Sequence, residues 1–249
     1  YRRNFMGSVI VVTSGKGGTG KTSITGGVGS CLARLGKSVL CIDMDIGLRN
    51  LDISLGLSDR ALMDFSDVVF GRCSLEKAAV SHPDLPGLSL LTAPMSFTPQ
   101  LTQWQVQELL DAARKRYDYI MIDSPAGLGP GFQLASCGAD RALVVSTNDA
   151  SSLRDAQRTV AELDRLEQIH LVMNRIQPKL LRQLRTTIDD AMDAAGLPLL
   201  GIVPEDPQVM LCANQGQPLI LRASRGAAVA YLNIAKRLLG QKAPLMKIR

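Results

Sequence analysis

A glycine-rich loop that ends in Lys-Thr follows directly after the first apolar segment of this chain. Residues 15–22 read G-K-G-G-T-G-K-T, which matches the pattern G-x-x-x-x-G-K-[ST], and they stand between the apolar run VIVVTS and a segment of helical character. Glycines allow backbone N–H groups to curl around a phosphate, and the N-terminus of the following helix adds a positive dipole end. The pattern predicts a phosphate-binding loop (P-loop) with contacts from Gly15, Gly17, Gly18, Thr19 and Gly20.

The residues that close the loop indicate which phosphate compound it binds. Lys21 is placed to neutralise the charge of β- and γ-phosphates, and the hydroxyl of Thr22 can ligate Mg²⁺. Ser23 follows at the start of the expected helix and is a further candidate contact. We therefore expect a magnesium nucleotide, with Lys21 as a catalytic residue.

Three carboxylates follow two other apolar segments. Asp43 and Asp45 come after the second segment, and Asp123 ends the segment YIMI. Carboxylates beside phosphates must face Mg²⁺ or water, because facing phosphate would be repulsive. We expect Asp43 and Asp123 to assist Mg²⁺ and Asp45 to orient the attacking water, all three as catalytic residues. Ser124 stands where faster ATPases often have a glutamate, which predicts slow hydrolysis that a partner or dimerisation accelerates.

Short Val- and Ile-rich runs alternate with longer segments of helical period, which is typical of βαβ units. The fold class predicted is α/β, a mostly parallel twisted sheet with helices on both faces, as one domain over residues 1–249, with residues 1–7 as an extension and 241–249 as a short tail. Gly36 and Gly196 stand where left-handed helix caps belong. The predicted strands are 9–13, 38–42, 88–91, 119–122, 142–146, 170–173 and 199–203, and the predicted helices are 23–35, 102–116, 151–166, 179–195 and 227–239.

Composition excludes several classes of protein. Hydrophobic residues make up 46% and charged residues 20%, which excludes intrinsic disorder. Five scattered cysteines without a CxxC pair, and only two histidines, argue against a zinc site. A stretch of 18 apolar residues and a secretory leader are both missing from the sequence, so we expect a cytoplasmic protein. The net charge of +5 permits an anionic partner without identifying one.

The string KGGTGKT, with Lys16 as well as Lys21, resembles the deviant Walker A motif of the MinD/ParA group of ATPases. The strings DMDIGLRNLDISLGL, VVFGRC, MIDSPAG, ADRALVV, VMNRIQP and VPEDPQV more closely resemble the MinD family, which determines the septum site. The resemblance implies ATP as the nucleotide and a homodimer that sandwiches it. It also implies that Lys16 acts catalytically on the nucleotide of the other subunit.

Further roles follow from the resemblance alone. Asn174, with Arg175 beside it, corresponds to the asparagine that contacts adenine in this family. Pro204, Glu205 and Asp206 correspond to the segment that flanks the base. Implied partners are a MinC-like division inhibitor and a topological regulator of the MinE or DivIVA type. Peripheral contact with the inner face of the cell membrane is also implied.

This sequence departs from the MinD family after the string PAG and in the tail. MinD proteins often have an acidic residue after PAG, whereas Leu128 and Gly129 stand here. After Pro244 the chain offers only Leu245, Met246 and Ile248 to a membrane.

The alternative functions are a ParA-type ATPase for DNA or plasmid segregation and a flagellar-number ATPase. The arginines that could contact DNA are Arg154, Arg158, Arg165, Arg182, Arg185, Arg222 and Arg225.

Overall fold

The computed structural model describes residues 6–96, 101–166 and 168–247. Within these ranges eight strands, numbered β1 to β8 along the chain and given with their bounds below, form one sheet in the order β3-β4-β2-β5-β1-β6-β7-β8. The two-residue edge strand pairs antiparallel with its neighbour, and the other pairs are parallel. The strands are β1 (Ser8–Thr13), β2 (Val39–Asp43), β3 (Val80–Ser81), β4 (Leu88–Leu91), β5 (Tyr119–Asp123), β6 (Arg141–Ser146), β7 (Gln168–Ile176) and β8 (Leu199–Pro204).

Helices cover both faces of the sheet, which confirms the predicted three-layer α/β/α architecture. The first face carries α1 (Lys21–Arg34), α2 (Leu51–Ser54), α10 (Pro207–Asn214), α11 (Leu219–Arg222) and α12 (Ala227–Leu238). The second face carries α3 (Phe65–Val69), α4 (Leu75–Ala78), α5 (Gln103–Arg114), α6 (Pro130–Ser136), α7 (Ala150–Ala161), α8 (Pro178–Leu184) and α9 (Ile188–Ala195).

Each face of the sheet has its own apolar core. Along β1, Val9 and Val11 join the core of the second face, whereas Ile10 and Val12 join the core of the first. All four side chains are fully buried. A central parallel strand that is covered on both faces has no solvent-facing side, so it shows a continuous apolar run instead of alternation.

The seven predicted strands are confirmed, and so are the left-handed caps at Gly36 and Gly196, which have φ of 83° and 66°. The prediction of one helix over residues 179–195 was wrong. The chain instead forms α8 and α9, because Arg185 adopts a left-handed conformation (φ 51°) and Thr187 starts a new helix. The Thr187 side chain accepts from the N–H of Asp190, whose carboxylate accepts in return from Thr187, a capping box.

Several short elements were not predicted. Helices α2, α3 and α4 have four or five residues each, too few to show a helical period. Helix α10 carried a readable signal, since Asp206 caps its N-terminus and Pro207 stands at its first position. No helix in the described ranges has the length and apolar character that crossing a bilayer requires. Residues 1–5 of the predicted extension and residues 248–249 of the predicted tail lie outside the described ranges.

Candidate functional site

The P-loop connects the carboxyl end of β1 to α1, in the centre of the sheet. Gly18 and Gly20 have positive φ values of 78° and 92°, which glycine adopts without strain. Among the described residues, no protein group accepts a hydrogen bond from the N–H of any residue from 15 to 20. The hydroxyl of Thr19 is buried and likewise has no partner within the described chain. The loop therefore presents unpaired donors, as phosphate binding requires.

Lys21 is a buried lysine, only 8% exposed, at the first position of α1. Its Nζ donates to Oγ of Ser14, 3.2 Å away. Burial lowers the pKa of Lys21, while the charges of Asp123 and Asp45 act in the opposite direction. The structure therefore brings three of the predicted catalytic residues within electrostatic reach of one another.

Asp43 and Asp123 are paired across the sheet at the carboxyl ends of β2 and β5. Burial raises the pKa of Asp43 to about 6. It raises the pKa of Asp123 to about 7, with a further increase from the charge of Asp43. The nearby hydroxyl of Thr22 acts against this increase in the pKa of Asp123, so Thr22 and Asp123 lie close together. Desolvation is the main cause of both shifts, and the negative charge of Asp43 adds to the shift of Asp123.

Asp43 also organises the loop that follows β2. Its Oδ1 accepts from the N–H of Asp45 at 2.9 Å, and its Oδ2 accepts from the N–H of Leu51, the first residue of α2, at 3.2 Å. Asp45 is partly exposed, and partial burial raises its pKa while Lys21 lowers it. Asp43 thus fixes the loop that carries Asp45 beside Lys21.

These residues fit Mg²⁺ as a partner of the nucleotide. The hydroxyl of Thr22 and the carboxylate of Asp123 are hard oxygen donors, and they lie next to the unpaired donors of the P-loop. Ser124 is buried, and its Oγ donates to the carbonyl of Pro125, 3.2 Å away. A serine in that environment offers no carboxylate as a general base.

The Lys16 side chain is half-exposed and bonds residues outside the P-loop. Its Nζ donates to Oδ1 of Asp149 at 3.3 Å and to Oγ of Ser151 at 2.9 Å. Partial burial alone would raise the pKa of Asp149, but hydrogen bonds from Ser151, Thr147, the N–H of Ser152 and Lys16 together hold that pKa well below its usual range. Lys16, the lysine that the motif carries in addition to Lys21, is therefore bonded to the N-terminus of α7.

Of the residues that the resemblance assigned to the base, Asn174 and Arg175 contact the P-loop. Asn174 is buried, and its Nδ2 donates to the carbonyl of Thr19 at 2.8 Å. Arg175 bonds both Glu205 and the carbonyl of Gly18, at 2.9 and 3.3 Å. Asp206 caps α10 and also accepts from the N–H of Ala227 at 3.0 Å. Contact of this group with adenine stays a prediction, as do the other site roles.

Sequence reasoning missed four polar residues of this site. Ser14 accepts from Lys21, and Asp149 and Ser151 accept from Lys16. The fourth, Thr25, donates to Oδ1 of Asp123 at 3.5 Å. Asp149 and Ser151 follow β6, another parallel strand whose carboxyl end faces the site. The rule that ligand sites lie at these ends would have found them. Thr25 gave no such signal, because it lies inside α1.

A family model described as "CobQ/CobB/MinD/ParA nucleotide binding domain" matches residues 10–219. The chain is 41% identical over 246 residues to the septum site-determining protein MinD of Bacillus subtilis, covering 96% of this chain and 92% of that protein. Its 39% identity to the MinD protein of Synechocystis likewise extends over 246 residues, 97% of this chain and 92% of the relative.

Solved structures agree with these relatives. The MinC:MinD cell division protein complex of Aquifex aeolicus contains a chain that superposes with a TM-score of 0.90 at 38% identity, covering 96% of this chain and 98% of that one. The MinD protein of Pyrococcus horikoshii, solved in complex with Mg-ADP, superposes with a TM-score of 0.83 at 28% identity, covering 94% of this chain and 96% of the other. Fold and relatives therefore point to the same group of proteins.

Proposed function

The chain belongs to the MinD family of P-loop ATPases, and on this premise we propose that it binds ATP with Mg²⁺, dimerises and takes part in placing the cell-division site. The observation that carries this proposal is the arrangement of two lysines in one P-loop, with Lys21 turned inward and Lys16 turned outward. A chain that binds nucleotide alone needs only Lys21. Lys16 is available for a second subunit once its bond to Asp149 breaks.

The residues of one chain divide the chemistry between them. The P-loop N–H groups and Lys21 bind the phosphates and hold their negative charge. Thr22 and Asp123 would hold Mg²⁺, which when bound would supply positive charge to the β- and γ-phosphates. Asp45, on the loop fixed by Asp43, orients the attacking water. Lys16 of the second subunit adds charge stabilisation that is complete only in the dimer.

This division of labour supports slow hydrolysis that depends on assembly. No strong base follows Asp123, because Ser124 is buried against its own loop. Turnover by the monomer well below about 10 per second, the median of enzymes in general, is expected. Dimerisation or a partner then accelerates it, which is the behaviour of a switch.

The partners of this chain are proposed from its similarity to MinD proteins. The structure of the Aquifex aeolicus relative contains MinC, and we propose that a MinC-like division inhibitor binds this chain. We also propose a topological regulator of the MinE or DivIVA type. The identity of 39–41% to MinD proteins over nearly the whole chain favours this role over DNA segregation.

We propose peripheral membrane contact through the tail, which requires contacts between the tail and the protein body to break. Arg237 donates to the carbonyl of Ala243 from Nε and Nη2, at 3.0 and 2.9 Å. Met246 packs against both apolar cores, whereas Leu245 is 39% exposed. Ile248 lies outside the described residues. Met246 must leave the protein body before it can enter a lipid surface.

The deciding experiment is light scattering after size-exclusion chromatography, with ATP, ADP or no nucleotide. Wild type should dimerise with ATP alone. Lys16→Ala should bind ATP with unchanged affinity and remain monomeric, because it lacks only the contact across the interface. A Lys16→Ala protein that dimerises normally would contradict the role of this lysine. Cosedimentation with anionic vesicles in the same three nucleotide states tests membrane contact separately.

A further inference from the structure

Two consecutive residues of β7 reach the same loop, which a regular strand does not allow. Asn174 donates from Nδ2 to the Thr19 carbonyl at 2.8 Å, and Arg175 donates from Nη1 to the Gly18 carbonyl at 3.3 Å. Successive side chains of a strand point to opposite faces. Here the register with β8 shifts between Met173 and Ile176, and Arg175 has a left-handed backbone with φ 56°. The irregularity turns both side chains towards the P-loop.

The left-handed conformation of Arg175 is costly for a residue other than glycine, so its surroundings must hold it in place. Its Nε donates to Oε2 of Glu205 at 2.9 Å. The N–H of Glu205 donates to the carbonyl of Ile176 at 3.0 Å, which joins the end of β8 to the irregular segment. Glu205 therefore fixes the guanidinium group, and the guanidinium group reaches the P-loop.

The two bonds determine where the loop's N–H groups point. In a planar trans peptide the C=O of one residue and the N–H of the next point in opposite directions. Arg175 draws the Gly18 carbonyl outward, which turns the N–H of Thr19 inward. Asn174 does the same with the Thr19 carbonyl and the N–H of Gly20. Both N–H groups are among the donors that lack a protein partner in the described ranges.

We propose that Arg175, fixed by Glu205, is a positioning residue for the phosphates: it orients the P-loop peptide whose N–H group receives the nucleotide's phosphate. This rests on the proposed function only in that the chain binds a nucleotide in its P-loop. It differs from the expectation that this residue contacts adenine, because the group acts on the loop backbone. Asn174 has the same effect on the next peptide.

The test separates the two halves of the nucleotide. Affinities for inorganic pyrophosphate, adenosine and ADP are measured by displacement of a fluorescent ADP analogue. Arg175→Ala should weaken the affinities for pyrophosphate and ADP by about five- to tenfold, which corresponds to the loss of one hydrogen bond. It should weaken the affinity for adenosine by less than twofold. Arg175→Lys should recover part of the pyrophosphate affinity, because an ammonium group can still donate to a carbonyl.

Arg72 provides a matched control, because its side chain is 56% exposed compared with 55% for Arg175. It also pairs with a carboxylate, Asp67, and donates to a further acceptor, Ser66. Arg72→Ala should leave all three affinities unchanged. If Arg175→Ala unfolds, Glu205→Gln is measured instead, and it should weaken pyrophosphate more than adenosine.

Equal loss of ADP and adenosine with unchanged pyrophosphate affinity would overturn the proposal in favour of a base contact. Unchanged affinities for all three ligands would also overturn it. Because these measurements concern ligand binding alone, they stand apart from the proposed function, whose failure would appear as a lack of ATP-dependent dimers in wild type.

Discussion

The Nζ atom of Lys16 lies 3.3 Å from Oδ1 of Asp149 in the same chain, in an ion pair whose two side chains are 45% and 48% exposed. A lysine that reaches another subunit must first leave this partner. Exposed ion pairs contribute about 1 kcal/mol at most, so the pair opposes dimerisation weakly and can be broken by binding. If Lys16 acts across the dimer interface as proposed, its bond to Asp149 opposes assembly.

Asp149→Asn should therefore favour the ATP-dependent dimer, lowering its dissociation constant by up to about thirtyfold, because each of the two subunits breaks one such pair. Asparagine is as good a helix cap as aspartate, so the N-cap bond to Ser152 is expected to persist. Analytical ultracentrifugation across a concentration series measures the change. Asp111→Asn on α5 removes an exposed carboxylate elsewhere and should have no effect. A weaker dimer in Asp149→Asn would show that Asp149 serves the assembled state instead.

Asp123→Asn should stabilise the nucleotide-free protein at alkaline pH. Burial, with the charge of Asp43, raises the pKa of Asp123 from 3.8 to about 7. The folded protein keeps this proton to a higher pH than the unfolded chain, so the carboxyl destabilises the fold progressively as pH rises from about 4 to about 7. Asparagine removes that penalty, on the order of 2–4 kcal/mol.

Chemical denaturation at pH 8 and pH 4 measures this effect without nucleotide or Mg²⁺. The gain in unfolding free energy should be large at pH 8 and close to zero at pH 4. The variant should also lose Mg²⁺-dependent nucleotide affinity, since it lacks the carboxylate. A variant less stable than wild type at pH 8 would show that the Asp123 carboxylate is better compensated than its burial suggests.

Much of this site was predictable because its residues follow strands in the chain. The P-loop, Asp43 and Asp123 come directly after apolar runs, and strand order then places them side by side. The contact between Lys16 and Asp149 joins residues 133 apart in sequence, and no local pattern shows it. The left-handed turn at Arg175 was also invisible, because arginine has no preference for that conformation.

The fold shows the same division. Buried strands and the long helices α1, α5, α7 and α12 were predicted from apolar patterns. The break between α8 and α9 was not, although the Thr187–Asp190 capping box marks it in the sequence. Apolar spacing continued across the break and concealed it. A polar signal of two residues competed with an apolar pattern of seventeen, and the longer pattern decided the prediction.

His82→Asn should reduce the loss of stability in mild acid. His82 is 6% exposed, and its Nδ1 accepts from the N–H of Asp84 at 3.1 Å. Burial lowers its pKa below 6.5, although the Asp84 charge and the Leu55 carbonyl act against this, and Arg60 lowers it further. The unfolded chain therefore binds this proton at a higher pH than the folded protein, and stability decreases as pH falls through 6.5.

Asparagine carries its amide oxygen near the position of Nδ1, so it keeps an acceptor for the Asp84 N–H, and it cannot titrate. Unfolding free energies of both proteins between pH 7.5 and pH 5.5 should show a flatter profile for the variant. Other titrating groups, including His170, are common to both proteins and cancel in the difference. Parallel profiles would show that His82 does not control acid sensitivity.

Gly27→Ala should destabilise the contact between α1 and α12, although alanine favours a helix by about 1 kcal/mol over glycine. A Cβ atom at Gly27 would lie 2.4 Å from Cδ2 and 2.5 Å from Cε2 of Tyr231, a ring that is 2% exposed. Either the ring or α12 must shift to make room for the methyl group. Overpacking of this kind costs about 1–3 kcal/mol.

Thermal and urea unfolding of Gly27→Ala measure this cost, and Gly129→Ala is the matched control. Gly129 has φ −77°, and no atom of the described residues lies within 4 Å of an added Cβ, so its substitution should change the unfolding free energy by less than about 0.5 kcal/mol. Tyr231→Leu in the Gly27→Ala background should recover part of the loss, because a smaller side chain admits the methyl group. The two substitutions should therefore couple, as residues in direct contact do. Strictly additive effects would mean that the methyl group is accommodated without displacing the ring, and that the close approach of α1 and α12 does not depend on a glycine.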